Sequence, residues 1–176
     1  MNIGISGPIG AGKTTAAEYL VSTYGLSYLR YSEVLAEMLP EPTPDRKTLR
    51  EFGWDIMSRN MQSTLNQKLL SKMQSGVNYI IDGLRHPTDF ETLAAWPPFY
   101  FLYVDASRHV RWQRVNSRHL AISWEEFVSG ENHPVESHLP TLQEKANRIL
   151  YNYGSLENLY SQLDELIIET EILSKK

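Results

Sequence analysis

The chain has 176 residues, of which 41% are hydrophobic and 22% are charged, and its formal net charge is -4. This length suits a single domain over residues 1–176, and the acidic balance argues against a protein that coats nucleic acid, since such proteins usually carry a basic excess. The complete absence of cysteine excludes disulfides, thiolate zinc sites and thiol nucleophiles.

The first predicted elements are a short apolar strand at residues 1–6, a glycine-rich loop and a helix. Residues 7–14 read GPIGAGKT, a complete G-x-x-x-x-G-K-[ST] phosphate-binding motif. Strand, loop and helix is the arrangement that the motif requires, because the glycines let backbone N–H groups turn around a phosphate chain at a helix N-terminus. An ordinary glycine-rich turn would explain neither the lysine nor the hydroxyl that follows it.

The motif gives each of its residues a role. We expect Lys13 to contact the β and γ phosphates of ATP and the Thr14 hydroxyl to hold Mg²⁺. The predicted ATP-binding residues of this segment are Gly7, Gly10, Ala11, Gly12, Lys13, Thr14 and Thr15.

The segment between the second and third strands, about residues 32–76, is where an insertion that holds a second substrate would lie. A strand is predicted over residues 26–31, with Ser32 as the N-cap of the next helix. Glu33 could bind a hydroxyl or amine of an acceptor. Arg46 and Arg50 lie one turn apart on a helix that Asp45 is predicted to cap. Each of these residues alone is better explained as ordinary surface, whereas together they favour a second-substrate site here.

Residues 77–83 form the next predicted strand, which ends in Asp82 and a glycine. Ligands of open α/β folds bind at the carboxyl edge of the sheet, so a carboxylate here can hold Mg²⁺ or accept a proton. The alternative is a carboxylate that only begins a turn. The phosphate-binding motif favours the metal role. Arg85 follows three residues later, where its guanidinium could bind acceptor phosphate or simply lie on the surface.

A fourth strand is predicted over residues 99–105 and a helix over residues 107–118, for which Asp105 is predicted to be a cap or structural partner. The helix carries three arginines on one stripe, Arg111, Arg114 and Arg118. A solvated helix face is the usual explanation for such a stripe. Because the strand–helix rhythm lapses afterwards, we predict a lid over about residues 115–140, with Arg114 and Arg118 as candidate catalytic groups beside Lys13 and Asp82.

The last strand is predicted around residues 148–151, and Ser155 is predicted to cap a final helix. Leu156, Leu159, Leu163, Leu166 and Ile167 form its apolar stripe. Five strands that alternate with helices predict an α/β protein with a five-stranded parallel sheet.

These residues resemble the P-loop kinases of small metabolites, in particular the nucleoside-monophosphate kinase and dephospho-CoA kinase group. Residues 5–15 resemble the phosphate loop of that group, and residues 79–87 resemble the Asp-Gly-x-Arg segment of archaeal and phage-type nucleotide-kinase-like proteins. Residues 104–118 resemble the strand and lid entrance, and 127–136 the lid helix. Residues 146–155 resemble the final strand and an Asn-x-Gly-Ser turn near the adenine.

The resemblance implies a three-layer P-loop NTPase fold with a helical lid, and ATP with Mg²⁺ as cofactors. It implies that Thr14 and Asp82 hold the metal and that Asn152 and Gly154 lie near the ATP. Acceptor phosphate contacts would come from Arg85 and Arg50, and Arg114 or Arg118 would hold the charge of the transition state.

The hypothesis that follows is phosphoryl transfer from ATP to a small phosphorylated acceptor, and the preferred acceptor is a nucleoside or deoxynucleoside monophosphate. One alternative is a dephospho-CoA kinase-like or other metabolite kinase, although Tyr31-Ser32-Glu33 stands where dephospho-CoA kinases carry a D-x-D-like pair. Another is a nucleotide-dependent switch without an acceptor, although a GTPase would usually carry an N-K-x-D segment and this chain has none.

The expected partner is therefore a small-molecule phosphate acceptor, with no nucleic acid and no membrane, in a monomer or homodimer. No apolar run approaches the ~18–20 residues that span a bilayer. The first strand begins at once and leaves no room for a signal peptide, so we expect a cytoplasmic protein.

Overall fold

A computed structural model describes residues 1–40, 43–117 and 122–174, with side chains up to residue 170. Within these ranges five strands alternate with nine α-helices and one short 3₁₀-helix. The strands are β1 (Asn2–Ser6), β2 (Ser27–Arg30), β3 (Tyr79–Asp82), β4 (Phe99–Asp105) and β5 (Arg148–Tyr151). The helices are α1 (Lys13–Tyr24), α2 (Tyr31–Met38), α3 (Arg46–Ser58), α4 (Gln62–Leu70), α5 (Pro87–Ala94), α6 (Arg108–Asn116), α7 (Trp124–Glu131), α8 (Leu139–Glu144) and α9 (Leu156–Ser174), and the 3₁₀-helix is Pro134–Glu136.

The five strands form one fully parallel sheet in the order β2-β3-β1-β4-β5. In the centre of the sheet, Ile5 pairs with Asp82 of β3 and with Leu102 of β4. Because all strands run the same way, their carboxyl ends meet at one edge, which brings the phosphate loop after β1 next to Asp82. The predicted α/β fold with a five-stranded parallel sheet is confirmed.

Apolar residues cover both faces of the sheet, which explains why its strands read as nearly continuous hydrophobic runs. Successive residues point to opposite faces, so Ile80 packs in the core layer under α1 and α9 while Ile81 packs in the layer under α2–α5 and α8. Each fully buried side chain of this kind contributes roughly 1.5–3 kcal/mol. Of the helices on the second face, α2, α3 and α4 also form part of the wall of the functional site.

Two details of the helices differ from expectation. The backbone of α2 already begins at Tyr31, whose ring is buried, so Ser32 lies inside the helix and the N-cap is Arg30, without a side-chain capping hydrogen bond. In α9, Leu159, Leu163, Leu166 and Ile167 are buried, but Leu156 is 50% exposed because it occupies the first turn, beyond the edge of the core.

Three other predicted caps can be compared with the structure. Asp45 accepts a hydrogen bond from the Thr48 N–H at the start of α3, and Ser155 accepts one from the Asn158 N–H in α9. Asp105 does not cap α6, since Ser107 does so and Asp105 instead accepts the Tyr153 hydroxyl at 2.5 Å.

The free edge of β5 is closed by a side chain from α9. Gln162 accepts the Tyr151 N–H at 3.0 Å and donates to the Tyr151 carbonyl at 3.1 Å, so it occupies both backbone groups of that residue. Across the part of the chain that the structure covers, no helix combines the length and apolar character needed to cross a bilayer.

Candidate functional site

The phosphate loop between β1 and α1 adopts a backbone that only glycine tolerates at both glycines of the G-x-x-x-x-G-K-[ST] motif. Gly7 has φ 142°, and a Cβ there would lie 2.2 Å from the Val104 carbonyl oxygen. Gly12 has φ 107° and would place a Cβ 2.2 Å from the Asn152 amide nitrogen. Both glycines of the motif are therefore required by the packing of the loop against β4 and the turn after β5.

Lys13 folds back over this loop. Its ammonium group donates to the carbonyls of Gly7 at 2.7 Å and Pro8 at 2.9 Å. Burial, and then the nearby Arg85 guanidinium, lower the pKa of Lys13 to about 7, while the carboxylates of Asp82 and Glu136 act in the opposite direction. The side chain is held where a phosphate chain inside the loop could replace the two carbonyls as its partner.

Asp82 lies at the end of β3, directly across from the first turn of α1. The Tyr28 hydroxyl donates to its Oδ2 at 3.0 Å, whereas Oδ1 is buried and has no hydrogen-bond partner within the described ranges. Burial, and then the Asp82 carboxylate, raise the pKa of Tyr28, whose hydroxyl also contacts the Thr14 side chain. Tyr28, Asp82 and Thr14 thus form one polar cluster.

This cluster fits a magnesium ion. One carboxylate oxygen is unused and a threonine hydroxyl lies beside it, and Mg²⁺ typically takes one or two protein oxygens while the phosphates and water supply the rest. Among the residues that the structure covers, no group of three or more His, Asp or Glu side chains forms an all-protein cation site. A metal here would therefore depend on the nucleotide for its other ligands.

Two arginines of α6 support the loop from behind. Arg111 is buried, donates to the carbonyls of Ala106 at 2.9 Å and Ile9 at 3.1 Å, and pairs with the Glu131 carboxylate of α7. Its role in the structure is to fasten the loop and α7 together.

Arg114 and Asn152 form a second support for the loop. Arg114 donates to the Asn152 side-chain oxygen at 3.1 Å and to the Ala11 carbonyl at 3.4 Å, and the Asn152 amide nitrogen donates to the same carbonyl at 2.7 Å. The structure therefore brings Arg114 and Asn152 together with the phosphate loop, and both side chains hold it at the Ala11 carbonyl.

A single cavity of about 1020 Å³ extends from the loop, past α2, α3 and α4, to α7 and the 3₁₀-helix. It combines charged and apolar walls. The cationic side chains that line it are Lys13, Arg30, Arg46, Lys47, Arg50 and Arg85. This volume lies at the upper end of the range of small-molecule sites, so it is large enough for two ligands that meet end to end.

Arg85 connects the loop to the far wall of the cavity. Its Nη1 donates to the Gly7 carbonyl at 3.0 Å, and its Nε lies 3.3 Å from a carboxylate oxygen of Glu136 in the 3₁₀-helix. Arg50 reaches the same cavity from α3, lies against Gly130 of α7, and has a buried Nε without a partner among the described residues.

The remaining predicted site residues lie elsewhere. Glu33 is exposed on α2, 3.7 Å from Arg30, and is not part of the cavity wall. Gly154 lies in the exposed turn before α9, and no atom lies within 4 Å of a Cβ built there. Arg118 falls outside the described residues.

The structure also adds residues that the sequence did not single out. Arg30 is the last residue of β2 and pairs with Asp82, so its place at the carboxyl edge of the sheet could have indicated it. Tyr28 lies two residues earlier in the strand, and its hydroxyl reaches Asp82. Gln62 and Glu136 also line the cavity. Neither belongs to a motif, and they reach the site only through the packing of α4 and the 3₁₀-helix.

Comparisons with known proteins agree with this geometry. The family model described as an AAA domain matches residues 3–128. The adenylate kinase of Pyrococcus furiosus is 31% identical over 85 residues, which are 47% of this chain and 38% of that enzyme. The chain thus matches well under half of this curated relative's length.

Solved structures resemble nearly the whole fold. The Thermus thermophilus protein TT1252 superposes with a TM-score of 0.60 at 24% identity, covering 96% of this chain and 97% of its own. Acinetobacter baumannii shikimate kinase, solved with shikimate, gives 0.61 at 17% identity and covers 99% and 94%. The family match covers most of the chain and places it in the AAA domain family, as a P-loop protein whose fold is the kinase-like fold of these solved structures.

Proposed function

We propose that this protein transfers a phosphoryl group from ATP to a nucleoside or deoxynucleoside monophosphate. One observation carries the proposal: a single cavity joins the phosphate loop and Asp82 to a second set of cations, which begins with Arg85 at the edge of the loop and continues to Arg50 on α3. A protein that only bound or hydrolysed ATP would have no use for this second cationic wall. The similarity to an adenylate kinase supports a nucleotide as the acceptor.

In this proposal Lys13 leaves the carbonyls of the loop and binds the β and γ phosphates. Its ammonium group then has negatively charged partners in place of neutral carbonyls. Thr14 and Asp82 hold Mg²⁺, which would neutralise charge on the phosphates when bound. Arg85 binds the acceptor phosphate and so places its oxygen in line with the γ-phosphoryl group. Catalysis then depends on positioning and on fixed charges.

Two segments would complete the site. The insertion at about residues 32–76, which comprises α2, α3 and α4, would hold the acceptor. The lid at about residues 115–140, which includes α7, would exclude water that could otherwise hydrolyse ATP. An arginine of the α6 region, Arg114 or Arg118, would balance charge on the transferred group.

The test is a coupled assay with Mg²⁺ and ATP across the ribo- and deoxyribonucleoside monophosphates, with dephospho-CoA and shikimate included. We expect at least one monophosphate to be phosphorylated well above the ATPase background. Turnover of dephospho-CoA or shikimate alone would keep phosphoryl transfer but replace the acceptor class. If no acceptor is phosphorylated, the kinase proposal is wrong, and slow hydrolysis with a nucleotide-dependent partner would indicate a switch.

The variant Lys13→Ala tests the role of the lysine in transfer. Removal of the ammonium group should reduce transfer by at least roughly a hundredfold, because one preorganised charge at a phosphoryl site is worth about that much. The variant should remain folded, which its circular dichroism spectrum would show. Near-normal turnover by the variant would show that Lys13 does not perform the proposed role.

A further inference from the structure

Gln62, in the first turn of α4, is a buried polar residue on the cavity wall. It is 5% exposed and lines the cavity together with Arg50 and Arg85. Its amide nitrogen donates to Asp89 Oδ1 at 2.6 Å. Its other polar atom, Oε1, is buried and has no hydrogen-bond partner within the described ranges. A buried carbonyl oxygen without a partner is costly, so its presence requires an explanation.

The orientation of the Gln62 amide is fixed by Asp89. Asp89 Oδ2 accepts the backbone N–H groups of Arg85 and His86, each at 2.9 Å, and the residue lies in the first turn of α5. Burial raises the pKa of Asp89, but the backbone N–H donors of Arg85 and His86 and the Gln62 amide oppose this shift, because they favour the ionised carboxylate, which can only accept hydrogen bonds. The amide nitrogen of Gln62 must therefore face Asp89, and the carbonyl oxygen must face away from it.

A neighbouring amide on the same helix shows the contrast. Asn66 lies one turn further along α4 and is 1% exposed. Its oxygen accepts the Tyr31 hydroxyl at 2.8 Å, and its nitrogen donates to Thr88 and Thr92, each at 3.2 Å. Asn66 is not part of the cavity wall. Of these two buried amides, only the one at the cavity keeps an unused acceptor.

The wall around Gln62 is suited to a flat, largely apolar group. Leu35, Met57, Leu65 and Val135 line the same cavity. We propose that Gln62 Oε1 is a specificity-determining group, which accepts a hydrogen bond from an N–H or O–H of the acceptor's base or sugar while Arg85 binds its phosphate. This inference rests on the proposed acceptor site. It restricts the acceptor to molecules that present such a donor.

The test is calorimetric binding of nucleoside monophosphates to the ATP-free protein, so it does not depend on turnover. AMP, CMP and GMP are each paired with the analogue in which hydrogen replaces the exocyclic amine, and UMP is paired with its N3-methyl analogue. The 2′-deoxy and 3′-deoxy forms test sugar hydroxyls. We expect roughly tenfold weaker binding of one donor-deficient analogue, since a buried acceptor is then left unpaired. The arm that shows the loss identifies base or sugar as the source.

The same pairs are then measured with Gln62→Met and with the control Gln67→Met, an identical substitution on the exposed side of α4. Gln62→Met should bind both members of the pair equally, and Gln67→Met should keep the preference. General damage to the fold would weaken both members alike and leave the preference in place. If Gln62→Met does not fold, Gln62→Asn, which withdraws the amide by one methylene, takes its place with the same expectation.

Three results overturn the inference. The first is equal binding of every pair by the unaltered protein, as expected if Oε1 merely holds a water molecule. The second is a preference that survives in the Gln62 variants. The third is the absence of any monophosphate binding, which also removes the proposed function, whereas the first two leave that function intact.

Discussion

Arg85 lies between the phosphate loop and the far wall of the cavity, so its substitution can show whether it serves ATP or the acceptor. It touches the loop through Gly7 and the far wall through Glu136, and no other hydrogen bond of its guanidinium to a described residue is present. A phosphate between these walls would meet a forked donor set.

We predict that Arg85→Ala lowers kcat/KM for the acceptor at least tenfold more than kcat/KM for ATP, because a charge-assisted contact is worth about 1.5–3 kcal/mol. Steady-state kinetics with each substrate varied in turn gives the comparison. Arg59→Ala, which removes an exposed arginine of the segment between α3 and α4, is the control and should change neither value. Equal losses for both substrates would assign Arg85 to the loop alone.

Lys13 gives a prediction about pH in the absence of any ligand. Its pKa is lowered to about 7 in the folded protein, against about 10.4 for an unfolded lysine. Between these values the unfolded chain binds more protons, so the free energy of unfolding should rise with pH across this window and stay level below it.

Urea unfolding of the protein and of Lys13→Met at pH 6, 7, 8 and 9 tests this. The difference between the two should change in favour of the unaltered protein above pH 7, by at most about 1.4 kcal/mol per pH unit. A difference that does not vary with pH would show that the ammonium group is well solvated.

Sequence analysis identified the site residues that belong to a motif or end a predicted strand. It missed the residues that reach the site only through the packing of helices. Lys13, Thr14 and Asp82 could be predicted because the motif and the end of a strand fix their places. Gln62 could not, because its importance comes from a carboxylate that is 27 positions away in the chain. Arg111 lies on the same helix stripe as Arg114, and its pairing with Glu131 could not be predicted because it depends on the position of α7.

Among the elements, α7 is attached to the rest of the fold through the buried ring of Phe127 and through Glu131 at its last residue. Glu131 pairs with Arg111, and both side chains are less than one-tenth exposed. The exposed Arg108 also reaches Glu131, at 2.8 Å. The Arg111 guanidinium lies 5.7 Å from the centre of the Phe127 ring. This cluster joins α6, α7 and the phosphate loop.

We predict that Arg111→Met destabilises the protein by about 3 kcal/mol, since breaking a buried pair leaves a charge and two carbonyls poorly satisfied. The matched control is Arg59→Met, which breaks an exposed pair with Asp55 and should cost less than about 1 kcal/mol. Denaturant unfolding measures both. Similar small losses for the two variants would contradict a structural role for the buried pair.

Strong hydrophobic runs let the strands be predicted nearly to their ends, whereas short helices were less visible. Strand β4 begins and ends where its aromatic and β-branched residues do. The helix α8 has only six residues and contains a proline at its start, so no periodicity could reveal it. It forms because Leu139 and Leu142 are buried against the second face of the sheet.

The molecule as a whole presents its two sets of charged side chains to one continuous cavity. A linked ligand, with ATP and the acceptor nucleoside joined through a shared phosphate chain, should therefore occupy both ends at once. Because the second contact becomes intramolecular, we predict binding roughly a hundredfold tighter than that of either part.

Thermal unfolding provides the measurement, since a ligand that binds only the folded state raises the melting temperature. The shift produced by the linked ligand should exceed that of ATP and of the monophosphate added separately at the same concentration. Arg85→Ala should reduce the shift. A linked ligand that stabilises no better than ATP would show that the two ends cannot be filled together.

The side chain of Gln162 has a consequence for solubility and assembly. A terminal strand of a sheet normally offers free N–H and carbonyl groups that can template pairing with a neighbouring polypeptide. In β5 this amide already satisfies both groups of Tyr151, in the manner of a short piece of backbone. Recruitment of a sixth strand at that border would first have to displace it, so any self-association is expected to use a different surface.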